Sequence, residues 1–197
     1  MEENMKKVLI ILAVLFGILL LIAFSIFGWA KTTYNSIVTM DEEINGAWAQ
    51  VENVLQRRYD LIPNLVETVK GYASHESEVF IRVTEARSKV AGAGTPSARM
   101  EAEGELSNAL SRLMVVVENY PQLKANHNFV MLQDQLESTE NRISVERGRY
   151  NNTVKLYNQY IRRFPTSMLA GMFNFNLRDF FEAPEAAQTA PQVRFNE

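Results

Sequence analysis

The stretch INGAWAQVENVLQRRYDLIPNLVETVK, residues 44–70, decides the fold because its apolar side chains recur at alternating steps of four and three. Steps of that size place the apolar side chains on one face of an α-helix, which can then pack against a core. The face is formed by Ile44, Trp48, Val51, Leu55, Arg58, Ile62, Leu65 and Val69. We therefore predict a helix over residues 34–70, closed by Gly71 as its C-terminal cap.

Three further segments show the same helical period. They cover residues 74–91, 95–120 and 126–164, and the last two begin at Thr95 and Asn126, which are good N-cap residues. No segment alternates between apolar and polar residues over the length of a strand. Because short connections make consecutive helices antiparallel neighbours, the sequence predicts an all-α fold built on an antiparallel up-and-down four-helix bundle. The first and last helices of this bundle are predicted to be the longest.

An uncharged apolar run, VLIILAVLFGILLLIAFSIFGWA, fills the 23 positions between Lys7 and Lys31. About 20 apolar residues are enough for a helix to cross a bilayer. A cleaved signal peptide is the competing interpretation, but its apolar segment is usually shorter, about 7 to 15 residues. Trp29, at the end of the run, also suits the membrane interface better than a cleavage site. The sequence therefore favours a retained transmembrane signal anchor.

The charges that flank this run predict its orientation. Lys6 and Lys7 precede it and Lys31 follows it, so a slight basic excess favours an N-terminus inside the cell. We expect a single-pass protein of the inner (plasma) membrane whose soluble domain lies outside the cytoplasm. The predicted organisation is a short N-terminal segment and signal anchor over 1–31, a four-helix bundle over 32–164, and an irregular, aromatic and proline-containing tail over 165–197.

Composition and spacing argue against several classes of function. A net charge of -3 and a pI near 5.6 do not suit a nucleic-acid binder, which needs a basic face to neutralise phosphates. The chain has no cysteine, and His75 and His127 do not stand in a metal-binding motif. Gly92 and Gly94 lack the lysine of a nucleotide-binding loop. We predict no catalytic residue, no metal and no cofactor, and a protein that is not an enzyme.

The charged residues in QRRYDLIPNL, residues 56–65, form the main candidate site. Arg58 falls on the apolar face, where an unpaired guanidinium would cost several kcal/mol, so a facing helix must supply a carboxylate. Glu118, Glu140 and Glu146 are suitable partners. One hypothesis is an ion-pair layer that fixes helix register, and the other is a docking site for an anion or a partner. The predicted site comprises Arg57, Arg58, Asp60, Glu118 and Glu140.

A second candidate lies in MFNFNLRDFF, residues 172–181, which concentrates four phenylalanines. Aromatic side chains rarely stay exposed in a patch, so one hypothesis is that they pack back on the bundle. The other is that they contact the membrane or a partner, because an up-and-down bundle returns the tail to the bilayer. The predicted contact residues are Phe173, Phe175, Phe180 and Phe181.

Four blocks of the chain resemble, in the same order, the hallmark blocks of the LemA family of bacterial proteins. They are AWAQVENVLQRRYDLIPNLVETVKGYASHE at 47–76, ENYPQLKANHNFVMLQDQLESTENRIS at 118–144, RYNNTVKLYNQYI at 149–161 and PQVRF at 191–195. The resemblance implies a helical bundle on a single membrane anchor, with no established activity and no catalytic residues to transfer. It also implies envelope partners, since members are encoded beside HtpX-type metalloproteases or TPM-domain proteins. The sequence departs from the family at Tyr59, where relatives often carry a small residue.

Three functions follow as hypotheses. The first is a membrane-anchored scaffold or adaptor that binds other envelope proteins or copies of itself. The second is a sensory domain that binds a small anion or peptide near Arg57 and Arg58. The third is a hydrolase, which the sequence favours least because no nucleophile stands beside a base.

Overall fold

The computed structural model describes residues 1–181 of the 197, and these residues form six helices joined by short connections. The helices are α1 Glu2–Lys70, α2 Ser77–Gly92, α3 Pro96–Val117, α4 Pro121–Lys124, α5 His127–Arg162 and α6 Thr166–Met172. No strand occurs in this part of the chain. The prediction of an all-α protein with an apolar N-terminal helix is therefore confirmed for the described residues. The PQVRF block at 191–195 and the rest of the tail from residue 182 lie outside them.

Helix α1 differs from the prediction because it is one continuous helix of 69 residues. The predicted anchor and the predicted first bundle helix belong to this single element. The physical reason is that no proline and no glycine stands between Trp29 and Ile44, so nothing in that stretch ends the helix. Pro63 lies inside the helix and is tolerated there.

The helix ends follow the predicted signals at most positions. Thr95 accepts a hydrogen bond from the backbone N–H of Ala98, and Pro96 occupies the first turn of α3. Asn126 accepts in the same way from the backbone N–H of Phe129 at the start of α5. Ser74 is not a cap, since α2 begins three residues later at Ser77.

The chain divides into two compact units. The first comprises Met1–Glu43 and Lys155–Arg178, and the second comprises Ile44–Val154 and the segment that begins at Asp179. Helices α1 and α5 each contribute to both units.

The second unit contains an apolar core supplied by five helices, α1 to α5. Its buried side chains are Ile62, Leu65, Val66, Val69, Ala73, Phe80, Val83, Ala86, Val90, Ala102, Leu106, Ala109, Leu110, Leu113, Val117, Leu123 and Phe129. Ile62, Leu65 and Val69 of the face predicted for α1 are among them. The antiparallel up-and-down order of four helices stays a prediction.

The first unit contains the apolar run of α1 together with Lys155–Arg178, which include the end of α5 and the whole of α6. Within residues 1–181, α1 is the one helix long and apolar enough to cross a membrane, judged by length and composition, with a mean hydropathy of 3.2 in its most apolar window. Large apolar side chains of this run, such as Leu21 and Phe24, are exposed. Burial begins beyond the run, at Thr33 and Ile37.

Candidate functional site

Arg58 is the centre of a polar layer inside the second unit. Its side chain projects from α1 and is only 6% exposed. The Nη1 atom lies 3.5 Å from Oε2 of Glu103 and 3.3 Å from Oε2 of Glu140. The Nη2 atom donates to Oγ of Ser107 at 2.9 Å. Helices α1, α3 and α5 therefore meet at one guanidinium group.

The two carboxylates of this layer differ in environment. Glu103 is 4% exposed, whereas 55% of the Glu140 side chain is exposed. Burial raises the pKa of Glu103, the positive charges of Arg58 and Arg99 oppose that rise, and Glu140 adds to it. The second oxygen of Glu103, Oε1, is buried and accepts no hydrogen bond from the described residues. The Arg58 guanidinium is therefore shared between the buried carboxylate of Glu103 and the solvent-exposed carboxylate of Glu140.

Tyr59 and Arg87 form a second contact, between α1 and α2. The guanidinium carbon of Arg87 lies 4.0 Å from the centre of the Tyr59 ring, a distance suited to a cation–π interaction. The ring is partly buried against the apolar core. The Arg87 guanidinium thus covers one face of the Tyr59 ring.

The structure brings only some of the predicted site residues together. Arg58 and Glu140 are paired, but Arg57 and Asp60 are exposed, and Asp60 accepts a hydrogen bond from Gln56 at 2.8 Å. Residues one before and two after Arg58 are rotated by about 100° and 200° around the helix, so they cannot share its buried face. Glu118 does not reach this layer, because its carboxylate binds Nζ of Lys124 at 2.6 Å.

Glu146 is likewise paired elsewhere, with Arg149 at 2.8 Å. The sequence analysis also missed Glu103, the most buried carboxylate of the layer. A signal for it existed, because Glu103 stands three residues before Leu106 and extends the apolar face of α3 by one turn. The periodicity therefore identifies Glu103 as a candidate partner for the arginine on the face of α1, although it does not select Glu103 over other carboxylates.

The four phenylalanines of residues 172–181 do not form one patch. Phe181, in the second unit, is buried, with its ring centre 6.4 Å from that of Trp48 and the guanidinium of Arg147 4.7 Å away. Phe173 and Phe175, in the first unit, both contact Tyr34, at 4.9 and 5.6 Å between ring centres. Phe180 remains exposed.

A tyrosine followed by an asparagine binds the segment that contains Phe181. Within the second unit, the hydroxyl of Tyr150 donates to the backbone carbonyl of Asp179 at 3.0 Å. The side-chain amide of Asn151 donates to the carbonyl of Phe181 and accepts from its N–H, at 2.9 and 2.7 Å. Both backbone groups of Phe181 are thereby satisfied without secondary structure.

The same residue pair recurs in the first unit, seven positions later along α5. The hydroxyl of Tyr157 donates to the carbonyl of Asn176 at 3.0 Å, and burial raises the pKa of Tyr157, so the hydroxyl keeps its proton. Asn158 donates to the carbonyl of Arg178 and accepts from its N–H, at 2.9 and 3.0 Å. The block RYNNTVKLYNQYI thus contains two backbone-binding pairs at heptad spacing.

The polar layer contains no activated nucleophile among the described residues. Ser107 is the one hydroxyl bound to Arg58, and it donates its proton to the backbone carbonyl of Glu103 at 2.9 Å. The Ser107 hydroxyl donates its proton to a carbonyl, which cannot act as a base, and its oxygen lone pair accepts from the guanidinium. It is therefore not activated as a nucleophile. No group of three histidine, aspartate or glutamate side chains that could hold a metal ion occurs in residues 1–181. The geometry suits the stabilisation of helix register.

These features define a class: an all-helical protein with an apolar N-terminal helix and a buried charged layer that links three helices. The family model described as "LemA family" matches residues 47–195, and the chain belongs to the LemA family. The matched region includes the Arg58 layer and both tyrosine–asparagine pairs.

Similar proteins include magnetosome proteins. Magnetosome protein MamQ 2 of Paramagnetospirillum magneticum is 29% identical over 182 residues, which cover 79% of this chain and 67% of the relative. Magnetosome protein MamQ of Magnetospirillum gryphiswaldense is 29% identical over 189 residues, 81% of this chain and 70% of the relative. Protein LemA of Metamycoplasma hominis is 23% identical over 152 residues, 77% of this chain and 69% of the relative.

Proposed function

We propose that the protein is a single-pass membrane protein of the inner (plasma) membrane whose helical domain acts as a scaffold or adaptor through protein–protein interaction. The observation that carries this proposal is the exposed apolar run of α1, which is uncharged over 23 positions and continues without a break into the second unit. We further propose an up-and-down four-helix arrangement for the bundle and a location outside the cytoplasm.

The use of the charged residues supports binding rather than catalysis. The donors of Arg58 are occupied by Glu103, Glu140 and Ser107. An internal ion pair of this kind holds the three helices in one register, which supports a structural use of these charges. The MamQ relatives are named for the magnetosome and not for a reaction. Together these points favour a protein that is not an enzyme.

The proposed partners are other envelope membrane proteins, an HtpX-type metalloprotease or a TPM-domain protein among them, or a second copy of the chain. Exposed apolar residues in the second unit, Ile81 on α2 and Val115 on α3, offer positions from which contact can be detected. Single large apolar side chains are common on protein surfaces. Ile81 and Val115 therefore serve as positions for a crosslinking probe, and their exposure does not by itself define an interface.

Photo-crosslinking in living cells tests the scaffold proposal. A photoreactive phenylalanine analogue replaces Ile81 or Val115 in the full-length chain, and the exposed Ser88 and Ser111 on the same two helices serve as matched polar controls. We expect discrete adducts with one or a few membrane proteins, or with a second copy, from at least one apolar position. If all four positions give only monomer under several growth conditions, the scaffold proposal is wrong.

No contact in the described residues favours the sensory or the hydrolase alternative over this proposal. A sensory site at Arg58 would have to displace Glu103 or Glu140 to bind an anion. Of the two arginines, Arg57 alone is exposed to solvent.

A further inference from the structure

A ridge of exposed apolar side chains follows the end of α5 in the first unit. We use the term α6 ridge for Phe164, Met168 and Met172, which are 82%, 65% and 71% exposed. Met168 and Met172 are four residues apart and so share one face of α6. Thr166, Leu169 and Ala170 of the same helix are buried. Helix α6 is therefore amphipathic, and its apolar ridge faces away from the protein.

The first unit holds this segment close to the end of the apolar run. The ring of Phe173, directly after α6, contacts Tyr34 at 4.9 Å. Tyr34 follows Lys31, the residue that closes the uncharged run, by about 4.5 Å along the axis at 1.5 Å per residue. Phe173, the residue directly after Met172, is thus held within about one helical turn of the end of the apolar run.

The chain beyond α6 runs along α1 away from that end. Arg178 binds Asp41 through two hydrogen bonds of 2.9 Å each. Asp41 lies seven residues beyond Tyr34, about 10 Å further along α1. The backbone of Arg178 is bound by Asn158 of α5. Within this unit, Asn158 and Asp41 therefore lie further from the apolar run, measured along α1, than the end of α6 does.

The segment around the ridge is basic. Residues 155–178 contain four basic side chains and no acidic one. Arg178 is neutralised by Asp41, whereas Arg162 and Arg163 are exposed and form no ion pair with any residue in the described part of the chain. A lipid interface has a layer of phosphate groups next to a layer of acyl chains. The two unpaired arginines suit the phosphates, and the three exposed apolar side chains suit the acyl chains.

We infer that the α6 ridge lies in the interface of the same bilayer that α1 crosses, with Phe164, Met168 and Met172 among the upper acyl chains and Arg162 and Arg163 at the lipid phosphates. The inference rests on the membrane anchor of the proposed function. A lipid surface is the favoured occupant because the anchor fixes the ridge at the depth where apolar side chains meet lipid. The α6 ridge is additional to the predicted contact residues, of which Phe181 is buried, Phe173 and Phe175 contact Tyr34, and Phe173 and Phe180 are exposed.

Site-directed spin labelling of the full chain tests the inference. The chain has no cysteine, so each single-cysteine variant accepts one nitroxide label. Met168→Cys and Met172→Cys probe the ridge, and both positions are exposed, so the change removes no buried contact. Phe24→Cys probes the anchor, and Leu156→Cys is the matched control, an exposed apolar side chain of α5 in the same unit. The variants are reconstituted in bilayers of phosphatidylethanolamine and phosphatidylglycerol.

The depth of each label follows from its collision rates with oxygen, which concentrates in lipid, and with a water-soluble nickel chelate. We expect a deep position for the label at 24, a shallow lipid position for those at 168 and 172, and a fully aqueous position for the label at 156. If 168 and 172 are as aqueous as 156 while 24 is deep, the inference is wrong and the anchor stands. If 24 is also aqueous, the anchor itself is wrong. Labels at 168 and 172 shielded from both reagents would show that protein covers the ridge, which also overturns the inference.

Discussion

The Arg58 side chain shows how one residue can link three helices. A guanidinium group has five N–H donors in a fixed plane, so one buried arginine can serve a carboxylate, a second carboxylate and a hydroxyl at once. In this chain those partners are Glu103, Glu140 and Ser107. Because Glu140 is half exposed, solvent screens that pair, and Glu103 is the partner whose burial makes the arginine necessary.

Replacement of Arg58 by methionine should strongly destabilise the fold. Arg58→Met keeps an unbranched side chain of similar length but leaves Glu103 buried without its cation, and removal of one partner of a buried pair costs about 3–5 kcal/mol. Arg57→Met, at the exposed neighbour, should change the free energy of unfolding by less than about 0.5 kcal/mol. Chemical denaturation of the full chain in detergent, followed by far-ultraviolet circular dichroism, measures both.

The double variant Arg58→Met, Glu103→Leu gives the control for this prediction. It removes both buried charges together, so most of the lost stability should return. Equal effects of Arg58→Met and Arg57→Met would contradict the structural role of the layer.

The pH dependence of stability should carry a contribution from Glu103. Burial raises its pKa above the ordinary 4.5, so in the interval above 4.5 the folded protein holds a proton that the unfolded chain has released. The stabilising contribution of Glu103 to the free energy of unfolding is fully present below pH 4.5 and is lost as the pH rises through its raised pKa. The stability of the native chain relative to Glu103→Gln should therefore fall as the pH rises through that interval. Thermal unfolding of both proteins at a series of pH values measures it, and parallel curves would exclude the raised pKa.

The sequence predicted the central residue of this layer but only one of its acidic partners. An arginine on an apolar face demands a carboxylate whatever the fold, so Arg58 could be identified from periodicity alone. The choice among Glu103, Glu118 and Glu140 depends on how far α3 and α5 are shifted along α1. That register is set by the interlocking of apolar side chains, which no local pattern contains.

At the scale of elements, α5 uses its tyrosine–asparagine pairs to hold a strand-like segment without a sheet. An extended segment leaves its backbone groups unsatisfied unless side chains bind them. The asparagine amide carries both an NH2 donor group and a carbonyl acceptor, so Asn151 and Asn158 can each satisfy both backbone groups of one residue. Side-chain hydrogen bonds from α5 thereby take the place of the backbone hydrogen bonds that a helix or a sheet would supply.

Replacement of Asn151 by alanine should release the Phe181 segment. The variant leaves the N–H and carbonyl of Phe181 without partners, at a cost of about 1–3 kcal/mol for each buried group left unsatisfied. Because Phe181 packs on Trp48, the emission of Trp48 should shift to longer wavelength in a Trp29→Phe background. The exposed neighbour, in Asn152→Ala, serves as the matched control. An unchanged emission spectrum for Asn151→Ala would count against this role.

The sequence analysis identified four of the helical segments but missed α4, α6 and the unbroken α1. Helix α6 has seven residues after Pro165, too few for a periodic pattern to stand out from an irregular tail. Helix α1 was divided at Lys31 because composition changes there, from uncharged to charged. A change of composition marks a change of surroundings and does not end a helix, which requires a backbone signal such as glycine or proline.

At the scale of the whole molecule, the charges that flank the apolar run predict its direction in the membrane. Two lysines precede the run and one follows it, and lysine and arginine on the cytoplasmic side determine topology. The acidic residues Asp41, Glu42 and Glu43 contribute little to this rule.

A fusion after Glu197 tests the predicted orientation. An alkaline phosphatase reporter, which is active only outside the cytoplasm, should be active at this position, while a fluorescent protein that folds only in the cytoplasm should stay dark. The double variant Lys6→Gln, Lys7→Gln removes the basic excess before the run, so it should lower phosphatase activity. A bright cytoplasmic fusion and an inactive phosphatase would reverse the orientation.

The way α5 holds the segment from Asn176 to Phe181 also has an evolutionary consequence. The hydrogen bonds described above from the two tyrosine–asparagine pairs go to backbone atoms of that segment, which every residue type except proline supplies in full. Leu177, Asp179 and Phe180 are exposed, so their side chains are free to drift under mutation while the path of the chain stays fixed. We therefore expect substitutions at these three positions to be tolerated better than substitutions of Asn151 and Asn158, which bind the segment.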